Sequence, residues 1–229
     1  MKPVFSICIL TYNRSKLLNR ALVSCLPLIN KELEIVVIDN ASTDDTNILM
    51  KEWCKKNPNI KYIRRKINIG FFNNFIASFK YCRGKYVLFC GDDDLFISDK
   101  VIKYYQKAFN KNNVGIIRCR QINIKDDHIT QFSSTLNNGK VALYKEGLDV
   151  LNPFIFDAFS LTGLAFLNNS ILRSSLTKSE SMYPQVELCM KLMVTYKAAQ
   201  IEKILVAIQG HDNQLNVLSY SLEGKKQTY

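Results

Sequence analysis

The first 120 residues alternate short apolar runs with segments of helical character, and this alternation restricts the possible folds most strongly. The apolar runs cover residues 4–10, 33–38, 60–64, 86–90 and 114–119. Continuous runs of this length are typical of strands that are buried on both faces of a parallel sheet. The segments 16–28, 44–56, 72–81 and 99–110 separate them and have helical patterns. Strands that alternate with helices predict a mostly parallel α/β sheet that is covered by helices.

Residues at the predicted helix ends agree with this pattern. Ser15 precedes the first helix and is a suitable N-cap, and Thr43 or Asp44 can cap the second,. Asn57-Pro58 ends the second helix, because a proline disfavours helical geometry in the residue before it,.

The carboxyl half is less regular. Residues 144–151 and 185–198 have helical patterns, 159–167 and 201–208 extended ones, and 125–128 a turn pattern. The residues after 210 show no convincing periodicity, and neither a repeat nor a linker is visible. We therefore expect a single domain over residues 1–229, with a regular half at 1–120 and a variable half at 121–229.

Composition limits the compartment and the partners. The chain is 47% hydrophobic and 22% charged, which excludes general disorder,. Its net charge of +11 fits a polyanionic partner, although a lysine-rich surface also serves solubility,. The seven cysteines form no Cys-x-x-Cys pair, so buried free thiols in a reducing compartment are expected,. No run approaches the ~20 apolar residues of a membrane span, and 4–10 is too short for a signal-peptide core, so we expect a cytoplasmic location,.

Polar clusters follow three of the apolar runs. They cover residues 11–14, 39–44 and 91–94. In an open parallel sheet, ligands bind at the carboxyl ends of the strands. We therefore expect the three clusters to meet at one edge and to form a ligand site.

Individual residues in the first two clusters suggest roles. Asp39 ends an apolar run, where an unpaired carboxylate is costly, so a ligand donor such as an imide N–H or a ribose hydroxyl would satisfy it,. A loop ion pair or a helix cap is the alternative. Tyr12 could stack on a planar base and Arg14 could reach a phosphate, or both could be ordinary surface residues.

The third cluster contains three consecutive aspartates, Asp92, Asp93 and Asp94. Adjacent carboxylates repel one another, so their pKa values are expected to be raised unless a cation or hydrogen-bond donors compensate. Mg²⁺ or Mn²⁺ would do so, because hard cations prefer carboxylate and phosphate oxygens. A solvated acidic turn before the helix at 99–110 is the alternative.

Several remaining residues are weaker candidates. Gly70, in Asn68-Ile69-Gly70, permits a bend that could bring the backbone close to a ligand, or is an ordinary turn glycine,. His211 follows the last extended run and could bind a metal or a phosphate, whereas His128 is expected to be exposed. The chain has no Gly-x-Gly-x-x-Gly, P-loop, His-Glu-x-x-His or Gly-x-Ser-x-Gly motif, which disfavours dehydrogenases, kinases, zinc peptidases and α/β-hydrolases,.

Taken together, segments 6–14, 34–44, 68–70 and 91–94 resemble glycosyltransferase family 2, which has the GT-A fold. The resemblance covers about residues 3–120. It implies a Rossmann-like sheet, an acceptor-binding carboxyl half, and inverting transfer of a sugar from a nucleotide diphosphate. The nucleotide-binding residues that follow from the motifs are Thr11, Tyr12, Arg14, Asp39, Asn68 and Asp92.

The resemblance also implies a metal site and a catalytic base. Asp93, Asp94 and His211 are the candidate ligands of Mn²⁺ or Mg²⁺, and Asp92 is assigned to the ribose. The Gly-Asp-Asp-Asp run departs from the usual DxD form, so the assignment among the aspartates stays open. Glu187 is the candidate base and Asp157 a second choice, but Glu187 is equally suited to stabilise the helix terminus.

These inferences lead to one preferred function. The chain is expected to transfer a sugar from a nucleotide-sugar donor, UDP- or dTDP-linked, to a saccharide acceptor during surface polysaccharide assembly. An acceptor on a polyprenyl diphosphate would fit the basic surplus, with peripheral contact to the anionic inner membrane face. The alternative is a catalytically inactive nucleotide-binding or scaffold protein of the same fold. Nucleic-acid binding is not expected, because no recognised motif is present.

Overall fold

The computed structural model describes residues 2–111, 114–125, 128–132, 140–145, 160–168 and 183–210. Strands and helices alternate along the amino half, and strands dominate the described part of the carboxyl half. The strands are β1 Phe5–Thr11, β2 Leu33–Asp39, β3 Ile60–Arg64, β4 Tyr86–Gly91, β5 Leu95–Phe96, β6 Val114–Lys125, β7 His128–Phe132, β8 Val141–Tyr144, β9 Ala165–Leu167 and β10 Lys197–Gln209. The helices are α1 Ser15–Cys25, α2 Thr46–Lys56, α3 Gly70–Ser78, α4 Val101–Phe109 and α5 Pro184–Met193.

The amino half forms the parallel sheet that the sequence predicts. The strand order is β3-β2-β1-β4, and each neighbouring pair is parallel. Every residue of β1 and β2 is buried, in agreement with their continuous apolar runs. The first predicted helix, 16–28, is α1 followed by a 3₁₀ turn at Leu26–Leu28. Pro27 lies in that turn, where its missing N–H prevents the α-helix from continuing.

The carboxyl half continues the same sheet in a mixed pattern. The short strand β9 lies antiparallel between β4 and β6, and β6 pairs in parallel with β10. β5 and β8 pair antiparallel with β10, and β7 pairs antiparallel with β6. The α/β fold class is thus confirmed, with its parallel part concentrated in the amino half.

Element boundaries in this half differ from the predicted ones. β6 and β10 extend over 12 and 13 residues, and so exceed the predicted strands at 114–119 and 201–208. The predicted helix at 185–198 ends at Met193, because the chain enters β10 at Lys197. Tyr144 lies in β8 and not in a helix, whereas residues 146–151 lie outside the described part.

Helices cover the sheet on both faces, and each face has its own hydrophobic core. Leu22 of α1, Met50 of α2 and Tyr105 of α4 belong to one core. Phe75 of α3 and Leu188 of α5 belong to the other. All seven cysteines are free thiols, six of them buried, as the sequence predicts. In the described part of the chain, no helix is both long enough and apolar enough to cross a membrane.

Candidate functional site

The three polar clusters meet at one edge of the sheet, as the sequence predicts. The parallel register places Thr11 beside Asp39 and Leu10 beside Gly91. Thr11 Oγ1 then donates a hydrogen bond of 2.8 Å to Asp92 Oδ2, which connects the ends of β1 and β4. The carboxyl ends of β1, β2 and β4 therefore form one continuous polar wall.

Hydrogen bonds lock the loops after β1 and β2 together. Asn13 adopts a positive φ of 54°, its N–H donates to Ser42 Oγ at 2.9 Å, and its Oδ1 accepts from Thr43 N at 2.7 Å. Asp44 accepts from the N–H of Ser15 at 2.9 Å. The helix α1 begins at Ser15, so Ser15 is not its N-cap. The carboxylate that accepts from this first N–H belongs to Asp44, in the loop after β2.

Asp44 also serves the second helix, for which it was a predicted cap. Its Oδ1 accepts from Thr46 N at 3.1 Å and from Thr46 Oγ1 at 2.5 Å. One carboxylate thus stabilises the amino ends of both α1 and α2. This arrangement fixes the backbone that carries Tyr12 and Arg14.

Asp39 is fully buried and is satisfied by protein groups. Its Oδ1 accepts from Ser42 N at 2.7 Å, its Oδ2 accepts from Tyr62 OH at 2.5 Å, and Arg64 Nε lies 3.6 Å away. These protein groups satisfy the carboxylate in the absence of a ligand, and its ion pair is with Arg64 at the end of β3. Burial and the bond to Asp39 raise the pKa of Tyr62. A nucleotide-binding role for Asp39 stays a prediction.

The loop before α3 is held by a pair of asparagines. Asn68 Oδ1 accepts from Asn40 Nδ2 at 2.6 Å and from Gly70 N at 2.9 Å, while Asn40 Oδ1 accepts from Ile69 N at 3.0 Å. Gly70 has a φ of +77°, and no atom lies within 4 Å of the place where a Cβ would stand. The predicted bend is confirmed, and the space above it is open to a ligand.

The three aspartates have different surroundings. Arg14 Nη1 lies 2.7 Å from Asp93 Oδ2 and 3.2 Å from Asp92 Oδ1. Asp94 instead accepts from Thr162 Oγ1 at 2.5 Å through one oxygen and from Gln209 N at 2.8 Å through the other. Asp94 therefore connects the end of β4 to the loop before β9 and to the end of β10.

The pKa values of Asp92 and Asp94 are raised, but mainly by burial and less by the mutual repulsion that the sequence predicts. Desolvation raises the pKa of Asp92 to about 6, although Arg14 opposes the shift. Desolvation, together with the charge of Asp93, raises the pKa of Asp94 to about 7. The compensating cation is Arg14, and the compensating donors are Thr11, Thr162 and Gln209.

The acidic edge offers two oxygens to a cation. In the described residues no group of three or more His, Cys, Asp or Glu side chains is arranged to hold a metal ion. Both oxygens of Asp94 accept from protein donors, but Asp92 Oδ1 and Asp93 Oδ2 converge on one positively charged atom, Arg14 Nη1. Two converging carboxylate oxygens fit a hard divalent ion whose other ligands are phosphate and water oxygens.

The positions of the other candidate residues do not test their predicted roles. Tyr12 is half-buried in the loop after β1, and its stacking role stays a prediction. Glu187 lies in the first turn of α5 and pairs with Lys191 at 2.9 Å, the interaction of a helix-terminus charge, while its role as a base stays a prediction. His128 is exposed in β7, as expected. Asp157 and His211 lie outside the described residues.

Sequence reasoning missed four residues of this edge, namely Tyr62, Arg64, Thr162 and Gln209. Arg64 faces Asp39 in the register of β3 with β2, so a strand alignment could have identified it. Thr162 and Gln209 lie 68 and 115 positions from Asp94 in the sequence. No local pattern indicates either contact.

Comparison with known proteins identifies sequence relatives. A family model described as "Glycosyl transferase family 2" matches residues 6–167. An uncharacterized glycosyltransferase of Rickettsia conorii, RC0461, is 36% identical over 138 residues, which are 59% of this chain and 22% of the relative. Abequosyltransferase RfbV of Salmonella typhimurium is 36% identical over 102 residues, or 43% and 30% of the two chains.

A third relative is the GalNAc(5)-diNAcBac-PP-undecaprenol beta-1,3-glucosyltransferase of Campylobacter jejuni. It is 33% identical over 107 residues, which cover 46% of this chain and 35% of the relative. The chain therefore spans between 22% and 35% of the length of these three relatives.

Two solved structures share the fold. S. aureus TarS 1–349 in complex with UDP-GlcNAc superposes with a TM-score of 0.72 at 19% identity, over 93% of this chain and 60% of TarS. The mannosyltransferase PcManGT from Pyrobaculum calidifontis, in complex with GDP-Man and Mn²⁺, superposes with a TM-score of 0.70 at 16% identity, over 100% and 66% of the two chains. At these identities the likeness concerns the fold.

Proposed function

The chain belongs to glycosyltransferase family 2, and we propose that it transfers a sugar from a nucleotide-diphosphate donor to a saccharide acceptor with inversion at the anomeric carbon. The observation that carries this proposal is the meeting of Thr11, Asp39 and the three aspartates at one edge of the sheet. That edge is where open α/β sheets bind ligands.

The donor base is assigned to the loops next to Asp39. The loops after β1, β2 and β3 are fixed to one another there, so the site is organised before a ligand arrives. Tyr12 lies in the first of these loops and supplies an aromatic face for the base. TarS, which shares the fold, was solved with UDP-GlcNAc, and this favours a UDP-sugar as the donor.

The donor diphosphate is assigned to the aspartate edge. Asp92 and Asp93 would hold a Mn²⁺ or Mg²⁺ ion there, and PcManGT carries Mn²⁺ beside its donor. When bound, such an ion neutralises the negative charge that develops on the leaving diphosphate. Asp94 keeps the loop in place through Thr162 and Gln209, and its burial excludes water from that side.

The acceptor is assigned to the carboxyl half. An inverting displacement needs a base that takes the proton of the acceptor hydroxyl, and Glu187 is our candidate. The relative from Campylobacter jejuni is named for an undecaprenol-diphosphate-linked substrate, which supports a lipid-linked saccharide acceptor in surface polysaccharide synthesis. With such an acceptor the chain would act in the cytoplasm at the inner membrane face, to which its net charge of +11 would attract it,.

A thermal-shift screen of nucleotide sugars with and without Mn²⁺ tests the donor site. A ligand that binds the native state raises the melting temperature, so one nucleotide diphosphate should do so in a Mn²⁺-dependent manner. The nucleotide sugar that contains this diphosphate should then be hydrolysed slowly, with release of the free nucleotide diphosphate. If no nucleotide diphosphate shifts the melting temperature in either condition, the donor-site assignment is wrong.

The inactive scaffold is the competing function, and the ion pair of Glu187 with Lys191 keeps it open. A scaffold would bind the nucleotide but would release no sugar, with or without an acceptor. Glu187→Gln separates the two cases, since in an enzyme it should lower the rate of transfer and leave the nucleotide-induced shift of the melting temperature unchanged. Flotation with vesicles of phosphatidylglycerol tests the membrane contact, which should weaken as salt rises.

A further inference from the structure

Arg14 is the cation on which two of the three aspartates converge. One guanidinium nitrogen, Nη1, contacts Asp93 Oδ2 at 2.7 Å and Asp92 Oδ1 at 3.2 Å. Thr11 Oγ1 holds the other oxygen of Asp92 at 2.8 Å. Asp92 is therefore fixed from behind, and the two oxygens on Arg14 are the same pair that would receive a divalent ion.

The backbone of Arg14 is rigid, whereas its side chain has room to move. Asn13 is bound through its backbone and side chain to the loop after β2, and Ser15 begins α1. The side chain of Arg14 is 27% exposed, against 8% for Asp92. Movement of the guanidinium away from the two carboxylates would therefore change side-chain torsions and leave these backbone contacts in place.

Arg14 and a divalent ion cannot share this position. Carboxylate oxygens approach Mg²⁺ to about 2.0–2.1 Å, which places the ion where Nη1 now stands. A guanidinium in contact with an ion of charge +2 would be strongly repelled. Removal of the guanidinium without replacement is also unfavourable, because two adjacent carboxylates would then face each other.

We propose that Arg14 is an exchangeable counter-ion, which holds Asp92 and Asp93 in the free protein and moves to the donor diphosphate when a metal takes its place. This inference rests on the metal-dependent donor site proposed above. The net charge is similar in the two states. In the free protein one guanidinium faces two carboxylates, and in the complex the guanidinium and the divalent ion face the same carboxylates and the negative diphosphate. Its planar fork suits phosphate oxygens in a bidentate geometry.

The exchange makes metal and nucleotide binding depend on each other. A metal that binds alone must displace Arg14 into water, so its affinity is reduced. A metal that binds with a nucleoside diphosphate gives Arg14 a new partner, so each ligand strengthens the other by the same factor. Arg14 thus disfavours a metal-loaded site that has no donor.

The test measures Mn²⁺ affinity by electron paramagnetic resonance, with and without UDP, in the wild type and in Arg14→Gln. The variant should bind Mn²⁺ alone about tenfold more tightly, within the usual range of couplings between sites. UDP should then raise its Mn²⁺ affinity much less than it raises that of the wild type. Arg83→Gln is the matched control, because it removes one arginine charge at the opposite edge of the sheet, where Arg83 pairs with Glu34. Its Mn²⁺ affinity should equal that of the wild type.

The outcomes separate this inference from the proposed function. If the wild type binds Mn²⁺ and UDP together, but Arg14→Gln binds Mn²⁺ alone no more tightly than the wild type, the exchange is wrong and the donor site stands. If the wild type binds neither ligand, both are wrong. Should Arg14→Gln not fold, Arg14→Met removes the charge and keeps the aliphatic stem, and an affinity of that variant for Mn²⁺ alone equal to that of the wild type would overturn the exchange.

Discussion

The two ends of the same parallel strands carry buried carboxylates in opposite electrostatic situations. Near the start of β2, Glu34 accepts from Ser6 Oγ at 2.7 Å, from Arg83 N at 2.6 Å and from Lys61 Nζ at 2.7 Å. Burial alone would raise the pKa of Glu34, but hydrogen bonds from Lys61, Ser6 and Arg83 outweigh it and lower the pKa. At the carboxyl ends of the strands, burial raises the pKa of both Asp92 and Asp94.

The difference distinguishes a structural carboxylate from a functional one. Glu34 has an ammonium and a guanidinium for a single charge, and it stabilises the fold as it stands. Asp92 and Asp93 share one guanidinium nitrogen between two carboxylates, which leaves negative charge that a ligand can neutralise. Buried carboxylates with a raised pKa, such as Asp92 and Asp94, concentrate at functional sites,.

Asp93→Asn should show most clearly that the carboxyl ends of the strands serve activity and not stability. Removal of a group that stabilises transition-state charge costs about 10²–10³-fold in rate, so we expect a loss of that size in transfer from the nucleotide sugar selected by the thermal-shift screen. The melting temperature should change little, because the side chain keeps its shape and an oxygen for Arg14. Folded Glu34→Gln should retain the wild-type rate. More than a tenth of that rate in Asp93→Asn would contradict a role in charge stabilisation.

Glu34→Ala should have the opposite result. The substitution leaves Ser6 Oγ and Arg83 N without their acceptor and Lys61 without its partner, so we expect the free energy of unfolding to fall by about 3 kcal/mol. Denaturant unfolding measures this quantity. Glu187→Ala is a suitable comparison, because its ion pair with Lys191 is partly exposed and should contribute less than about 1 kcal/mol,. Equal losses in the two variants would show that Glu34 is not a structural centre.

Two glycines near the opposite ends of β4, Gly84 before the strand and Gly91 at its last position, provide a sharper comparison. A Cβ on Gly84 would stand 2.5 Å from Ser6 N, a backbone atom that cannot move away. A Cβ on Gly91 would stand 2.7 Å from Asp94 Oδ2 and 2.9 Å from Asp93 Oδ1, which are side-chain atoms that can rotate.

Gly84→Ala should therefore lower the free energy of unfolding by about 1–3 kcal/mol, the usual cost of overpacking. Gly91→Ala should lower it less, but should weaken Mn²⁺-dependent nucleotide binding because the aspartates are displaced. Denaturant unfolding and calorimetry with Mn²⁺ and UDP measure the two effects. A larger loss of stability in Gly91→Ala, with its ligand affinity unchanged, would reverse the assignment of the two ends.

The same contrast explains what the sequence could predict. The apolar runs specify which residues enter the sheet, and a parallel sheet brings the carboxyl ends of its strands together, so the meeting of Thr11, Asp39 and Asp92 followed from local patterns. The residues that donate hydrogen bonds to these carboxylates could not be predicted from local patterns. Tyr62 OH meets Asp39 across 23 positions in the sequence, a distance that only strand register determines.

The carboxyl half was harder to predict for a related reason. β9 has three residues, too few to show a period, yet it is inserted between β4 and β6 and turns the sheet from parallel to mixed. That insertion brings Thr162 to Asp94. The sequence therefore predicted an acidic edge that needs compensation, but not which donors supply it.

The pH dependence of stability gives the smallest expected effect. In the folded protein, burial raises the pKa of Asp94 to about 7 from its ordinary value of 3.8. Between these values the folded state keeps the proton and the unfolded state has released it. The unfolded state then binds fewer protons, so the free energy of unfolding falls as pH rises through this window, by at most about 1.4 kcal/mol per pH unit. Above pH 7 the contribution is flat.

Asp94→Asn removes this titration and keeps the contacts, because its amide oxygen can accept from Gln209 N and its amide nitrogen can donate to Thr162 Oγ1. The stability of the wild type relative to the variant, without metal or nucleotide, should therefore fall by about 1–2 kcal/mol between pH 6 and pH 8. Denaturant unfolding at both pH values measures the difference. In Asp92→Asn the corresponding decline should end about one pH unit lower, since the pKa of Asp92 is raised only to about 6,. Glu34, whose pKa is lowered, should instead lose its contribution as pH falls. If the stability of the wild type relative to Asp94→Asn also fell as pH fell, Asp94 would belong with the structural carboxylates.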